Sequence, residues 1–291
     1  MKEINTLVLS GGSVKGVAYI GIFKKIEEII KEKDDRYPII NINKITAVSV
    51  GTIFSLAYLL GYSYIEMLEE VLSKRFDKFK SIKIMNLINK YGLDSGDLLI
   101  KWLSELMIRK EIDKDISLLD FYNKTNINFE IMATNLNKYC YKKFNYQETP
   151  NVKVLEAIRM SISIPFIFTA NEYEGDLYVD GGLIDSYPIS LYEDNLENII
   201  GFKLVNNGEM LDHIIDERID DIESFIYHVI TCYMVQKEKH TTRSKLFQDY
   251  TVYINTKNIV QTVNFALTPM EKNDLINIGY IAISKYFEKY H

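Results

Sequence analysis

Lys44-Ile45-Thr46-Ala47-Val48-Ser49-Val50-Gly51-Thr52-Ile53-Phe54-Ser55-Leu56-Ala57-Tyr58-Leu59-Leu60 contains the start of a run of 21 residues, 45–65, that carries no charge. Such a run is long enough to cross a bilayer as one helix. It also reads as a buried strand over residues 45–48 that turns sharply into a buried helix over residues 50–60. The second reading fits better: the first four residues are β-like, and Thr46, Ser49, Gly51, Thr52, Ser55, Gly61 and Ser63 interrupt the apolar pattern. A serine between strand and helix, with small residues two before and two after, has the form of a nucleophile elbow. The strained turn leaves no room for a large side chain at either flanking position. The usual pattern is G-x-S-x-G, and Ala47 stands where the first glycine would be, adding one methyl group. Taken alone, the pentapeptide also fits an ordinary strand-to-helix turn.

Toward the N-terminus, Thr6-Leu7-Val8-Leu9 is a short apolar run leaving through Ser10-Gly11-Gly12, as a buried strand ending in a glycine turn does. Over residues 15–33 the apolar residues recur at helical spacing, predicting a long amphipathic helix. Strand, helix, strand, helix predicts an α/β fold with a mostly parallel sheet flanked by helices. The loop Gly11-Gly12-Ser13-Val14-Lys15-Gly16 places backbone N–H groups at a helix start, where anions are held. It is not a P-loop, because Val17-Ala18 follows Gly16 where Lys-Ser or Lys-Thr is required. A dinucleotide fingerprint needs glycine where Ser13 stands. An oxyanion hole and a plain glycine-rich turn remain.

Toward the C-terminus, residues 63–120 read as helices and loops. Residues 129–134 and 139–144 read as adjacent strands joined by Asn135-Leu136-Asn137-Lys138. A helix is expected over 152–160, strands over 177–179, 199–205 and 250–254, and helices over 219–238 and 269–289. The strand at 177–179 ends in Asp180-Gly181-Gly182, a turn that projects a carboxylate from a strand end. The chain shows no repeat and no linker, so residues 1–291 are expected to form one domain, with its motifs in 5–205 and a helical part in 206–291.

Glycine loop, elbow serine and Asp-Gly-Gly, in that order, resemble the patatin-like phospholipase family, whose motifs are D/S-G-G-G-x-R/K-G, G-x-S-x-G and D-G-G/A. Here they stand as Ser10-Gly11-Gly12-Ser13-Val14-Lys15-Gly16, Ala47-Val48-Ser49-Val50-Gly51 and Asp180-Gly181-Gly182. The block Ala157-Ile158-Arg159-Met160-Ser161-Ile162-Ser163-Ile164-Pro165 and the ending Asp185-Ser186-Tyr187-Pro188 are similar to further family segments. Ser13, Ala47 and Ser186 depart from the pattern, and none of them removes a catalytic side chain. The resemblance implies a patatin-like three-layer fold and a lipid acyl hydrolase with a Ser–Asp dyad and neither histidine nor metal. Ser49 would attack the ester, Asp180 would act as its base, and the N–H groups of Gly11, Gly12 and Ser13 would hold the oxyanion. Membrane lipids or lysolipids would be the substrates, without a cofactor. A thioesterase or peptidase of the same geometry, and a catalytically silent lipid- or nucleotide-binding module, are the rivals.

The remaining composition fits this frame. The chain has 291 residues, 34 basic against 40 acidic side chains, a net charge of −6, 47% hydrophobic and 25% charged residues. These values exclude a disordered chain or coiled coil, and the acidity argues against nucleic acid as partner. Two cysteines, Cys140 and Cys232, are expected as buried or half-buried thiols in a reducing compartment. No secretory signal is apparent, so the chain is expected to be intracellular, soluble or peripherally membrane-associated. His213, His228, His240 and His291 read as solvated helix faces. Arg75, Lys78, Lys80, Lys83 and Lys90 against Asp77 leave +4, interleaved with Phe76, Phe79, Ile82, Ile84, Met85, Leu87 and Ile88. Such a segment suits an anionic membrane surface, or an amphipathic face on the core.

Overall fold

Leu7 and Leu9 face one side of the first strand and Val8 the other, each fully buried, as the two-residue period of a strand requires. That strand, β1 (Glu3–Leu9), pairs in parallel with β2 (Ile39–Val48) on one side. On the other it pairs in parallel with β9 (Ile199–Val205), followed by β10 (Thr251–Asn255). The computed structural model describes residues 3–34, 36–79, 81–205, 219–222, 225–226, 228–229, 232–233, 245–256 and 266–290.

Beyond β2 the sheet continues with β4 (Asn128–Asn135), parallel to it, and then turns antiparallel. β5 (Cys140–Phe144), β7 (Asn171–Tyr173) and β8 (Asp176–Asp180) complete the eight strands, in the order β10-β9-β1-β2-β4-β8-β7 with β5 on the free side of β4. The turn expected between β4 and β5 forms because the Asn135 side chain accepts from the N–H groups of Asn137 and Lys138, each at 2.9 Å. Two short strands, β3 (Gly92–Asp94) and β6 (Phe166–Phe168), pair separately. With three residues each, β3, β6 and β7 leave no periodic signal in the sequence.

The main core lies on one face of the sheet, under α1 (Tyr19–Glu32), α2 (Val50–Leu59), α5 (Asp97–Arg109), α7 (Val154–Ser161) and α8 (Pro269–Tyr290). The other face carries a smaller cluster of Val8, Tyr187, Ile189, Leu196 and Ile199, so the architecture is the expected α/β sheet flanked by helices. α1 and α8 cross closely: a Cβ at Gly21 would collide with the Ile276 carbonyl, and one at Gly279 with the Ala18 carbonyl. The helix expected over 15–33 divides into a 3-10 turn, Ser13–Ala18, and α1. That over 219–238 falls largely outside the described residues.

Between α2 and β3 lie α3 (Tyr64–Ser73), a 3-10 turn at Phe76–Phe79, and α4 (Ile84–Lys90); α6 (Leu118–Thr125) precedes β4. The uncharged run 45–65 is strand, turn and helix, and no helix among the described residues is long and apolar enough to cross a membrane. Cys140 and Cys232 correct an expectation: both are exposed. Cys140 opens β5 just after the hairpin turn, at the exposed end of the strand.

Candidate active site

The sharp turn after β2 places Ser49 at φ 52° and ψ −128°, a conformation that L-residues avoid. Holding it costs on the order of 1–3 kcal/mol, so the surroundings must fix it. Three contacts do so. The Ser49 N–H donates to Ser161 Oγ at 2.9 Å, and that hydroxyl donates to the Met132 carbonyl at 2.6 Å. The Ser49 carbonyl accepts from the Thr52 N–H at 2.9 Å and the Thr52 hydroxyl at 2.6 Å. A Cβ at Gly51 would sit 2.9 Å from both the Leu9 and Ser10 carbonyls, so only glycine lets α2 start this close to β1. Ala47, fully buried, is paired between Leu9 and Ile131, and its methyl group is accommodated.

Strand register brings Asp180 to the same place. β2 runs along one edge of β4 as far as Val48, opposite Met132, and β8 enters the same edge from the other direction, ending with Asp180 opposite Ala133. Two strand ends thus meet head-on at adjacent residues of β4. The Asp180 N–H donates to the Ser163 carbonyl at 2.8 Å, and its carbonyl accepts from the Thr134 hydroxyl at 3.0 Å. Its Oδ1 accepts from the Gly182 N–H at 2.7 Å. Oδ2 is buried without a well-formed hydrogen bond. Burial pushes the Asp180 carboxyl up to about 6, while the nearby Ser49 hydroxyl and Gly182 N–H pull it down. A Cβ at Gly181 would lie 2.5 Å from the Met132 carbonyl, which explains the glycine after the aspartate.

The glycine loop packs against the elbow, with the Cβ position of Gly11 3.2 Å from Ser49 Cβ. One of its three expected oxyanion donors is spent: the Gly11 N–H donates to the Ser186 carbonyl at 2.9 Å. Gly12 and Ser13, the latter at φ 55°, follow it in the loop. Ser10 ties the loop to β9, its hydroxyl accepting from the Leu204 N–H at 2.9 Å. Lys15 is buried in the 3-10 turn, and Gly16 packs against Val50.

Ser49 and Ser13 lie at the edge of a cavity of about 100 Å3 whose other walls are almost wholly apolar, among them Val17, Ile53, Leu99, Trp102 and Phe168. Phe76 and Phe79, from the basic segment, also line it. Ser161 lies in the block 157–165 already noted for its family resemblance, but nothing in the sequence marks its hydroxyl as the support of the elbow, and the wall residues are ordinary helix or loop residues until the chain is folded. No trio of His, Cys, Asp or Glu among the described residues could hold a metal ion. His228 is half-buried, and His213, His240 and His291 lie outside the described residues.

The basic segment divides into two parts. Phe76 and Phe79 turn to the core, whereas Ile82, Ile84, Met85 and Ile88 are 50 to 67% exposed. Lys78 and Lys83 are exposed, Arg75 pairs with Asp77 at 2.7 Å, and Lys80 lies outside the described residues.

A strained serine and a buried aspartate on abutting strand ends, beneath a glycine loop, are features of a serine hydrolase site, and sequence comparison agrees. The profile of the patatin-like phospholipase family matches residues 7–191, and the chain belongs to that family. It is 28% identical over 291 residues to an uncharacterised protein, R571, of Acanthamoeba polyphaga mimivirus, covering 99% of this chain and 95% of that one. A probable lipid hydrolase, 463L, of Invertebrate iridescent virus 6 is 30% identical over 198 residues, which span 65% of this chain and 63% of the relative. The crystal structure of VipD from Legionella pneumophila is similar in fold, with a TM-score of 0.59 at 18% identity, covering 99% of this chain and 67% of that one.

Proposed function

We propose that the protein is a lipid acyl hydrolase, acting as a Ser–Asp esterase of phospholipids or lysophospholipids, with residues 1–291 as one patatin-like domain. The observation that carries this reading is a buried carboxylate oxygen, Asp180 Oδ2, left without a well-formed hydrogen bond beside a strained serine at an apolar pocket. Ser49 Oγ attacks the ester carbonyl while its proton passes to Oδ2. The N–H groups of Gly12 and Ser13 are nearest in chain position to hold the developing oxyanion. Collapse of the tetrahedral intermediate returns the proton to the leaving alcohol and leaves an acyl-Ser49. Water, deprotonated by the same carboxylate, then releases the fatty acid and restores the serine. A carboxyl lifted toward 6 is a better base at neutral pH than an ordinary aspartate.

The name of the viral relative, a probable lipid hydrolase, supports the substrate class. The exposed apolar residues 82, 84, 85 and 88, beside Lys78 and Lys83, support peripheral contact with an anionic lipid surface near the pocket. Hydrolysis of lipid, thioester and peptide substrates by wild type and Ser49→Ala tests the reading. Loss of lipid hydrolysis in a folded Ser49→Ala protein is expected. Retained activity would remove Ser49 from the chemistry.

A further inference from the structure

Beyond the pocket at Ser49 lies a second cavity, of about 20 Å3, lined by Ala57, Met67 and Leu106 among others. Ile53, Phe54 and Trp102 line both cavities and so form the partition between them. We propose that Trp102 is the end stop of the acyl pocket, the specificity-determining residue that sets the longest acyl chain Ser49 accepts. This rests on the reading of Ser49 as the nucleophile toward an acyl ester.

The partition is held in place from both of its sides. The indole stacks on Phe79 with ring centres 5.2 Å apart and leans on Phe76 at 6.4 Å. Its N–H donates to Glu70 Oε1 at 2.7 Å. Glu70 is held in turn by Arg109 at 2.9 Å and Lys74 at 3.4 Å. Burial alone would raise the Glu70 carboxyl; the hydrogen bonds from Trp102 and Arg109 overcome this and keep it below the usual range. An indole whose polar edge is bound to an ionised, half-buried carboxylate resists swinging aside for one more methylene, because the carboxylate would lose a donor. Ile53 and Phe54 belong to α2, which starts directly after Ser49, so part of the partition is carried by the same helix as the elbow.

Each methylene that enters an apolar pocket should raise kcat/KM by roughly fourfold. The first that meets a fixed wall should lower it by roughly tenfold or more. A series of p-nitrophenyl esters from butyrate to palmitate is therefore expected to rise and then break. Trp102→Ala should move the break to longer chains by opening the second chamber, and Ile53→Ala, which leaves the indole in place, should move it less. Trp102 is also the sole tryptophan of the chain, so its emission reads the wall directly. Titration of the wild type with saturated fatty acids from hexanoate to palmitate should leave emission unchanged for short chains and shift it from a threshold length. That readout stands even where Trp102→Ala does not fold. An unmoved break in folded Trp102→Ala, or emission indifferent to chain length, would overturn the proposal. A wild type that hydrolyses no ester would instead overturn the reading of Ser49, while the emission threshold still reports on the wall.

Discussion

Asp180 illustrates how a single residue trades stability for reactivity. Its carboxyl ionises near 6 in the folded chain against 3.8 in the unfolded one. Between those values the folded state therefore holds the extra proton, so stability falls as pH rises from about 4 to about 6. The loss is on the order of 3 kcal/mol at about 1.4 kcal/mol per pH unit. Asp180→Asn removes the buried charge, so its unfolding midpoint at neutral pH should exceed that of the wild type, with a flatter pH dependence through that window. Thermal melts across the range check this. The same variant should lower kcat by at least about 10²-fold, as expected for a lost general base. Ser161→Ala leaves the Ser49 N–H and the Met132 carbonyl without their shared partner, at a cost of about 1–3 kcal/mol. It should reduce kcat more than it raises KM, because the elbow and not the pocket is loosened; steady-state kinetics separate the two.

Among the elements, the α1–α8 crossing and the segment around α4 make opposite predictions about what may be changed. Gly279→Ala forces α8 away from the Ala18 carbonyl and should cost about 1–3 kcal/mol, as overpacking does, measurable by denaturant unfolding. The exposed segment should tolerate substitution. Replacing Arg75, Lys78, Lys80 and Lys83 by Gln should weaken binding to anionic vesicles, with a loss that shrinks in high salt. Hydrolysis of a soluble ester should remain. Arg75 should contribute least, because Asp77 already neutralises it. Cosedimentation at two salt concentrations measures this, and equal loss of vesicle binding and soluble hydrolysis would assign the segment to the core instead.

For the molecule as a whole, the sequence revealed what chain direction and residue type encode, and little of what depends on distant contacts. The strands and turns that bear Ser49 and Asp180 were legible because strained turns demand small residues at fixed spacing. What makes them one site was not: β2 and β8 share an edge of β4 only through register across more than 80 residues of chain. The glycine loop was legible as an anion-binding turn, yet the loss of the Gly11 N–H to Ser186 depends on a loop 175 residues away. The pocket wall was silent for the same reason, since Trp102, Phe79 and Phe168 are unremarkable until they meet.

The pH dependence of Ser49 labelling by a fluorophosphonate probe tests the dyad most directly, since it reports the serine's reactivity without assuming any lipid. The account predicts labelling whose rate rises through a pH of about 6, that vanishes in Ser49→Ala and drops at least about 10²-fold in Asp180→Asn. It should persist when His213, His228, His240 or His291 is replaced by Gln. Equal labelling of the wild type and Asp180→Asn, or its loss on replacing one of those histidines in a folded protein, would contradict a Ser–Asp dyad.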